Sequence, residues 1–300
     1  LRERLSFEAD VEVTLEANPG TIERGRFAEY AAAGVNRVSL GAQTFSAQAL
    51  LALGRIHAAE DTQRAAEELH AAGLSNFNLD LMYALPQQDV AGAIADVERA
   101  LALAPAQISH YQLTLEPNTA FAARPPEHLP DDDTVAAMLE AARARLEAAG
   151  YARYEVSAYA RAGHRCWHNL NYWQFGDYLG LGAGAHSKLS FAHRITRQVR
   201  YREPQLYMAQ ALKGEPATLY EEVKREDLPF EYMLNALRLK EGFTLTDFMA
   251  RTGLAMTAIQ KGLSEAEAKG LIGRDMAKVW PTERGFDFLS DLQELFLADR

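Results

Sequence analysis

The sequence is short of sulfur: its 300 residues contain one cysteine, Cys166. One thiol excludes an internal disulfide framework and, by itself, any metal centre held on several thiolates of these residues. Long apolar runs are missing as well. No stretch of about 18 such residues could span a bilayer, and the start shows no basic stretch followed by an apolar one and a small-residue cleavage site. Positive charge is also in deficit, with 31 Lys and Arg against 41 Asp and Glu and a formal charge of −10. Such a balance repels phosphate backbones and anionic lipid. It argues against a nucleic-acid partner, leaves at most transient membrane association through partners, and predicts a cytoplasmic chain. Internal repeats and low-complexity tracts are absent.

What remains is an ordinary globular composition, 48% hydrophobic and 24% charged, enough for one large core and a smaller second one. The first half alternates β-branched apolar runs with alanine-rich helical patterns, the signature of βα units and a parallel sheet. Val11 to Glu16, Asn36 to Gln43, Phe77 to Tyr83 and Gln107 to Leu115 read as its strands. Ser46 is placed to cap a short helix, longer helices run from about Ala59 to Ala72 and Val90 to Leu103, and Gly34 and Gly73 sit where helices stop. After the fourth strand comes a proline-rich loop with Glu116-Pro117-Asn118-Thr119. A helix opening at Asp131 then runs to Gly150, ahead of a strand from Tyr151 to Val156. Residues 157–193 are rich in Gly, His and aromatics without helical period, and read as loops and short strands. From about Asp227, three helical stretches, an apolar-to-basic passage and a last helix read as a winged-helix-like appendage, a packing module rather than a DNA reader at this net charge.

In sheets of βα units the chemistry gathers at the carboxyl ends of the strands, where the loops converge. Those ends carry Glu16, Gln43, Asp80, and on the fourth strand Gln112 and Thr114. Each alone has a bland explanation, such as a bond to a neighbouring loop. Together they deliver polar groups from the interior of apolar runs, where an unpaired carboxylate is costly. Arg55 adds a cationic fork suited to a carboxylate, and the set suits an amino-acid-bearing nucleoside.

The segments Thr14-Leu15-Glu16-Ala17-Asn18-Pro19-Gly20, Arg37 to Phe45, Gly54-Arg55-Ile56-His57 and Asn78 to Pro86 resemble successive signatures of the radical S-adenosylmethionine enzymes related to oxygen-independent coproporphyrinogen III oxidase. The resemblance covers nearly the whole chain. It implies an α/β fold: a partial (β/α)6 TIM-like barrel over residues 1–220, lacking its first two βα units, and a small C-terminal winged-helix-like α domain over residues 221–300. It also implies that Glu16, Gln43, Arg55 and Asp80 bind S-adenosylmethionine, Arg55 at the methionyl carboxylate, the others at ribose and amino groups, with a backbone contact from Thr114. The family's [4Fe-4S] cluster needs a three-cysteine loop and a glycine-rich motif that these residues do not contain. The expectation is therefore an N-terminally truncated chain that forms no cluster and is inactive alone, the cluster belonging to the intact protein.

His164-Arg165-Cys166-Trp167-His168-Asn169-Leu170-Asn171-Tyr172-Trp173 combines imidazole and thiol ligands with flat apolar surfaces, which a heme needs. A packed loop is the plain alternative. His168-Asn169-Leu170-Asn171-Tyr172 matches the His-Asn-x-x-Tyr motif of the family's heme-chaperone branch, which implies His168 as axial ligand, Asn169 and Tyr172 as further heme contacts, and Cys166 or His164 as weaker candidates. A zinc reading lacks a fourth ligand. Three functions stay open: a chaperone delivering heme to respiratory proteins; a coproporphyrinogen III oxidase, an oxidative decarboxylase; and a barrel enzyme using Glu16 and Asp80 as general acid and base.

Overall fold

The computed structural model describes residues 4–20, 25–117 and 119–298, so Asn118 of the proline-rich loop lies outside them. The chain divides into two compact units, residues 1–165 and 166–300. That division falls upstream of the 220/221 boundary read from the sequence.

In the first unit β1 (Thr14–Ala17), α1 (Phe27–Ala32), β2 (Arg37–Gln43), α2 (Ala47–Ala52), α3 (Ala59–Ala71), β3 (Phe77–Tyr83), α4 (Val90–Ala102) and β4 (Gln107–Gln112) follow one another as the alternation predicts. Ser46 caps α2 by accepting from the Ala49 N–H, and Gly73, at a φ of +74°, takes the left-handed turn after α3. The four strands pair in parallel in chain order. All seven residues of β2 are buried, as expected of a strand covered on both faces. Val38, Leu40, Leu79, Leu81, Val97 and Ile108 form the centre of the core between sheet and helices.

Beyond β4 the expectations need correction. After α5 (Ala120–Ala123) and α6 (Asp132–Ala148), capped by Asp131, the strand expected at Tyr151 to Val156 is instead a hairpin, β5 (Ala152–Arg153) and β6 (Ala158–Ala160). β6 pairs antiparallel to β4, giving the order β1-β2-β3-β4-β6-β5. The chain reverses at Val156-Ser157, where the Glu155 carboxylate accepts from the Ser157 N–H and hydroxyl, so no crossover returns it in parallel.

The second unit opens with α7 (Trp167–Trp173), a helix within the segment read as irregular. Seven residues make too few turns to show a period. β7 (His186–Phe191), β8 (Arg194–Arg200), α8 (Pro204–Leu212) and β9 (Ala217–Glu222) follow, the strands forming an antiparallel sheet in the order β7-β8-β9. The remaining elements are α9 (Leu228–Ala236), β10 (Phe243–Thr244), α10 (Leu245–Thr252), α11 (Gln260–Ala268), β11 (Ile272–Arg274), β12 (Lys278–Pro281), α12 (Glu283–Asp287) and α13 (Leu289–Glu294). Their order, with the sheet β10-β12-β11, is the winged-helix arrangement anticipated. Phe175 and Ile195, from upstream of residue 220, share its core with Tyr232, Phe243 and Phe248, which is why the unit begins before the sequence-read boundary. Among the described residues no helix is long and apolar enough to cross a membrane.

Candidate functional site

One face of the parallel sheet is polar. Glu16 stands beside Ser39 in the β1–β2 register, and Asp80 beside Ser109 in the β3–β4 register. Asn78 donates to Ser39 Oγ at 2.9 Å and to Asp80 Oδ1 at 2.8 Å, while Ser109 Oγ donates to Asn78 Oδ1 at 3.1 Å. Burial raises the Asp80 carboxyl above its ordinary value, against the hydrogen bonds of Asn78, Ser109 and Ser39 and the positive charge of Arg37.

At the carboxyl end of β2 the register with β3 shifts between Leu40 and Gln43, and Gln43 takes a left-handed φ of +66°. A bulge of this kind re-aims a side chain. Here the buried Gln43 accepts at Oε1 from the Tyr111 hydroxyl, 2.8 Å away. The turn that follows is anchored from α4: the buried Asp96 accepts from Thr44 Oγ1 at 2.7 Å and from the Phe45 N–H at 2.8 Å. On the exposed segment after α2, Arg55 Nη1 donates to Asn18 Oδ1 at 3.3 Å. His57 ties that segment to the sheet, its Nε2 donating to the Ala42 carbonyl at 3.2 Å.

Tyr111 draws these groups together. Burial and the negative charge of Asp80 push its phenol up to about 12, the Gln43 hydrogen bond and the Arg55 charge oppose this, and Glu16 adds to it. Four sequence-predicted residues thus bear on one phenol, Gln43 through its hydrogen bond and Glu16, Arg55 and Asp80 through their charges. Thr114 does not join them. It lies past the end of β4, exposed, its hydroxyl donating to Glu116 Oε1 at 3.0 Å. Tyr111 and Asn18 are the members that sequence reasoning passed over. Strand alternation was the available signal, because Ser109 and Tyr111 share the Asp80 face while Gln112 has the opposite parity.

The second constellation is built on α7. Cys166 precedes the helix and is fully buried, whereas Trp167 is 66% and Tyr172 38% exposed. His168 is exposed; its Nδ1 lies 3.2 Å from Cys166 Sγ. One turn on, Tyr172 meets His168 edge-to-face at 6.4 Å and Tyr178 at 4.7 Å. Asn169 is half-buried. His164 belongs to the first unit, where its ring faces Asn76 Oδ1 at 3.3 Å. The buried Lys188 secures the chain after α7, donating to the Phe175 carbonyl at 3.0 Å and to Asp177 Oδ1 at 3.1 Å.

Residues 1–104 match the Radical SAM superfamily, and residues 223–288 match the HemN C-terminal domain. A protein of Escherichia coli named heme chaperone HemW is 47% identical over 301 residues, spanning all of this chain and 78% of its own length. The chain belongs to the HemW family. A HemW of Haemophilus influenzae is 45% identical over 302 residues, covering 100% of the chain and 77% of its own. The fold has a solved counterpart in E. coli coproporphyrinogen III oxidase (HemN), described as a radical SAM enzyme, with a TM-score of 0.80, 21% identity, 98% of this chain covered and 71% of that one. At that identity the likeness establishes architecture, and the partial radical-SAM barrel expected from the sequence stands as a HemN-type fold.

Proposed function

We propose that the protein is a cytoplasmic heme chaperone that receives heme on α7, binds S-adenosylmethionine at the rim around Tyr111, and passes its heme to respiratory proteins. The observation that carries the reading is the pairing of His168 and Tyr172, one helical turn apart on an exposed surface, in a chain whose relatives in E. coli and H. influenzae are named heme chaperones. An imidazole nitrogen supplies an axial ligand, and Trp167 and Tyr172 supply flat cover for the macrocycle, with Asn169 beside them. His168 is favoured over Cys166 because the thiol is buried, so a thiolate ligand would first have to be uncovered.

The rim suits S-adenosylmethionine by its donor set: a guanidinium for a carboxylate, carboxylates for an ammonium and for ribose hydroxyls. Thr114 stays in the proposal as a backbone contact, since its side chain is engaged elsewhere. A [4Fe-4S] cluster, which the family implies, supplies an electron when bound. Cys166 alone does not meet its need for three thiolates, so what is proposed for these residues is binding.

Heme titration into the full natural protein tests the reading. His168→Ala is expected to move the Soret band and weaken binding about tenfold, while Cys166→Ser leaves both unchanged. A band lost in Cys166→Ser but kept in His168→Ala would transfer the ligand to sulfur. No change in either would return α7 to a structural helix.

A further inference from the structure

We infer that the second unit carries a binding site for a free α-amino acid with an apolar side chain, in a cavity of about 260 Å³ lined by the end of α7, α9, α10 and β12. The site is independent of the heme and S-adenosylmethionine readings.

The cavity collects polar groups that the fold leaves without partners. The Trp173 ring is covered by the Arg238 guanidinium, 4.3 Å from its centroid, while its buried Nε1 has no hydrogen-bond partner. An indole N–H can only donate. Tyr232 is 1% exposed and its ring is gripped edge-to-face by Phe175 at 5.5 Å and by Phe243 and Phe248 at 5.2 Å. Its hydroxyl makes no hydrogen bond among the described residues. Burial raises that phenol above its ordinary value, the charge of Asp247 adds to this and that of Arg251 opposes it, so the hydroxyl keeps its proton to donate. Covered donors without acceptors are costly, and an acceptor brought by a ligand removes the cost.

Charges of both signs line the same space. Arg251 of α10 and Lys278 of β12 form no ion pair among the described residues. Asp247 stands one turn before Arg251, a spacing at which opposite charges ordinarily pair, yet no ion pair joins them. Its Oδ2 accepts from the Thr244 hydroxyl at 2.6 Å, which leaves Oδ1 free among the described residues. A plain carboxylate in this cavity would meet Asp247 and Glu241 with nothing to offer them, and a plain amine would meet Arg251 and Lys278 in the same way. A zwitterion answers both, its carboxylate taken by the two cations and the two neutral donors and its ammonium by Asp247. Leu239 and Phe243 supply apolar lining for a side chain. The volume lies below the roughly 300–1,000 Å³ of drug-sized pockets, which suits a small metabolite and excludes a macrocycle.

Calorimetric titration of the full natural protein tests this with three probes of one shape: L-phenylalanine, 3-phenylpropionate, which lacks the amine, and 2-phenylethylamine, which lacks the carboxylate. L-Phenylalanine is expected to bind, and each analogue to bind about tenfold more weakly or worse. Arg251→Gln should lower the affinity for L-phenylalanine about tenfold, and Tyr232→Phe, which keeps the ring among its aromatic neighbours, should lower it several-fold. Arg251 is exposed, so its variant keeps the test open should Tyr232→Phe not fold. An analogue that binds as well as L-phenylalanine would overturn the zwitterion assignment. Unchanged affinity in Arg251→Gln and in folded Tyr232→Phe would overturn the site, and no heat from L-phenylalanine at millimolar concentration would overturn the whole inference.

Discussion

Asp80 and His110 occupy neighbouring strands of one sheet but opposite faces, and burial drives both towards their neutral forms. On the polar face it raises the Asp80 carboxyl. On the helix face, burial, reinforced by the positive charge of Arg153, lowers the His110 imidazole to about 4. That ring stacks on Tyr83 at 4.5 Å and 12°, and its Nδ1 is buried without a hydrogen-bond partner. Below the ordinary imidazole value of about 6.5 the unfolded chain takes up a proton that folded His110 refuses, so the stability contributed by neutral His110 is present above about 6.5 and lost as pH falls towards about 4. Urea titrations across this window should give a folding free energy that declines with acidification. His110→Gln should flatten the decline; an unchanged slope would mean that other groups control it. Glu16, Gln43 and Asp80 were legible in the sequence because polar residues at the ends of apolar strands are out of place there, and Arg55, on the segment after α2, was legible as a cationic fork near them. Tyr111 was not, because an aromatic in a strand reads as packing. Thr114 lies past the end of β4, where strand parity no longer applies, and only its backbone remains in the proposal.

Elements built from long patterns were the legible ones. β1 to β4, α3, α4 and α6 each repeat a period or carry caps enough to announce themselves, whereas the β5–β6 hairpin and α7 are shorter than the window in which any period can be seen. What holds α7 and the loop after it to β7 is close backbone approach rather than pattern. The Gly180 N–H donates to Ser187 Oγ at 2.9 Å, and Tyr178 exchanges two backbone bonds of 3.0 Å with Lys188. A Cβ at Gly180 would lie 2.2 Å from the His186 carbonyl oxygen, an atom fixed in β7. Gly180→Ala is expected to push the loop off the strand and to cost roughly 2–4 kcal/mol, read as a lower urea midpoint. Retention of the parent midpoint would show that the strand yields instead.

Across the whole molecule, the cores centred on Leu40 and Leu79 and on Tyr232 and Phe248 are separate clusters in separate compact units. Separate cores weaken the case for one cooperative transition. Calorimetry should resolve more than one melting step, and a single step with equal calorimetric and van't Hoff enthalpies would contradict this. The sequence signalled two domains with a boundary at 220/221, near the start of the HemN C-terminal match at residue 223, whereas the compact units divide after residue 165; an antiparallel sheet with mixed alternation carries no mark of which core it serves, and the partners of Phe175 and Ile195 decide that.

The seat of Cys166 has a bearing on how the chain ages. Its sulfur is wholly covered at the mouth of α7, and a covered thiol is slow both to oxidise and to exchange. With no second cysteine among these residues, a sulfur-linked dimer of this chain forms only from molecules in which the cover over that sulfur has already come away. Disulfide dimers accumulating in a stored sample would then be a chemical record of past openings, not a property of the native surface.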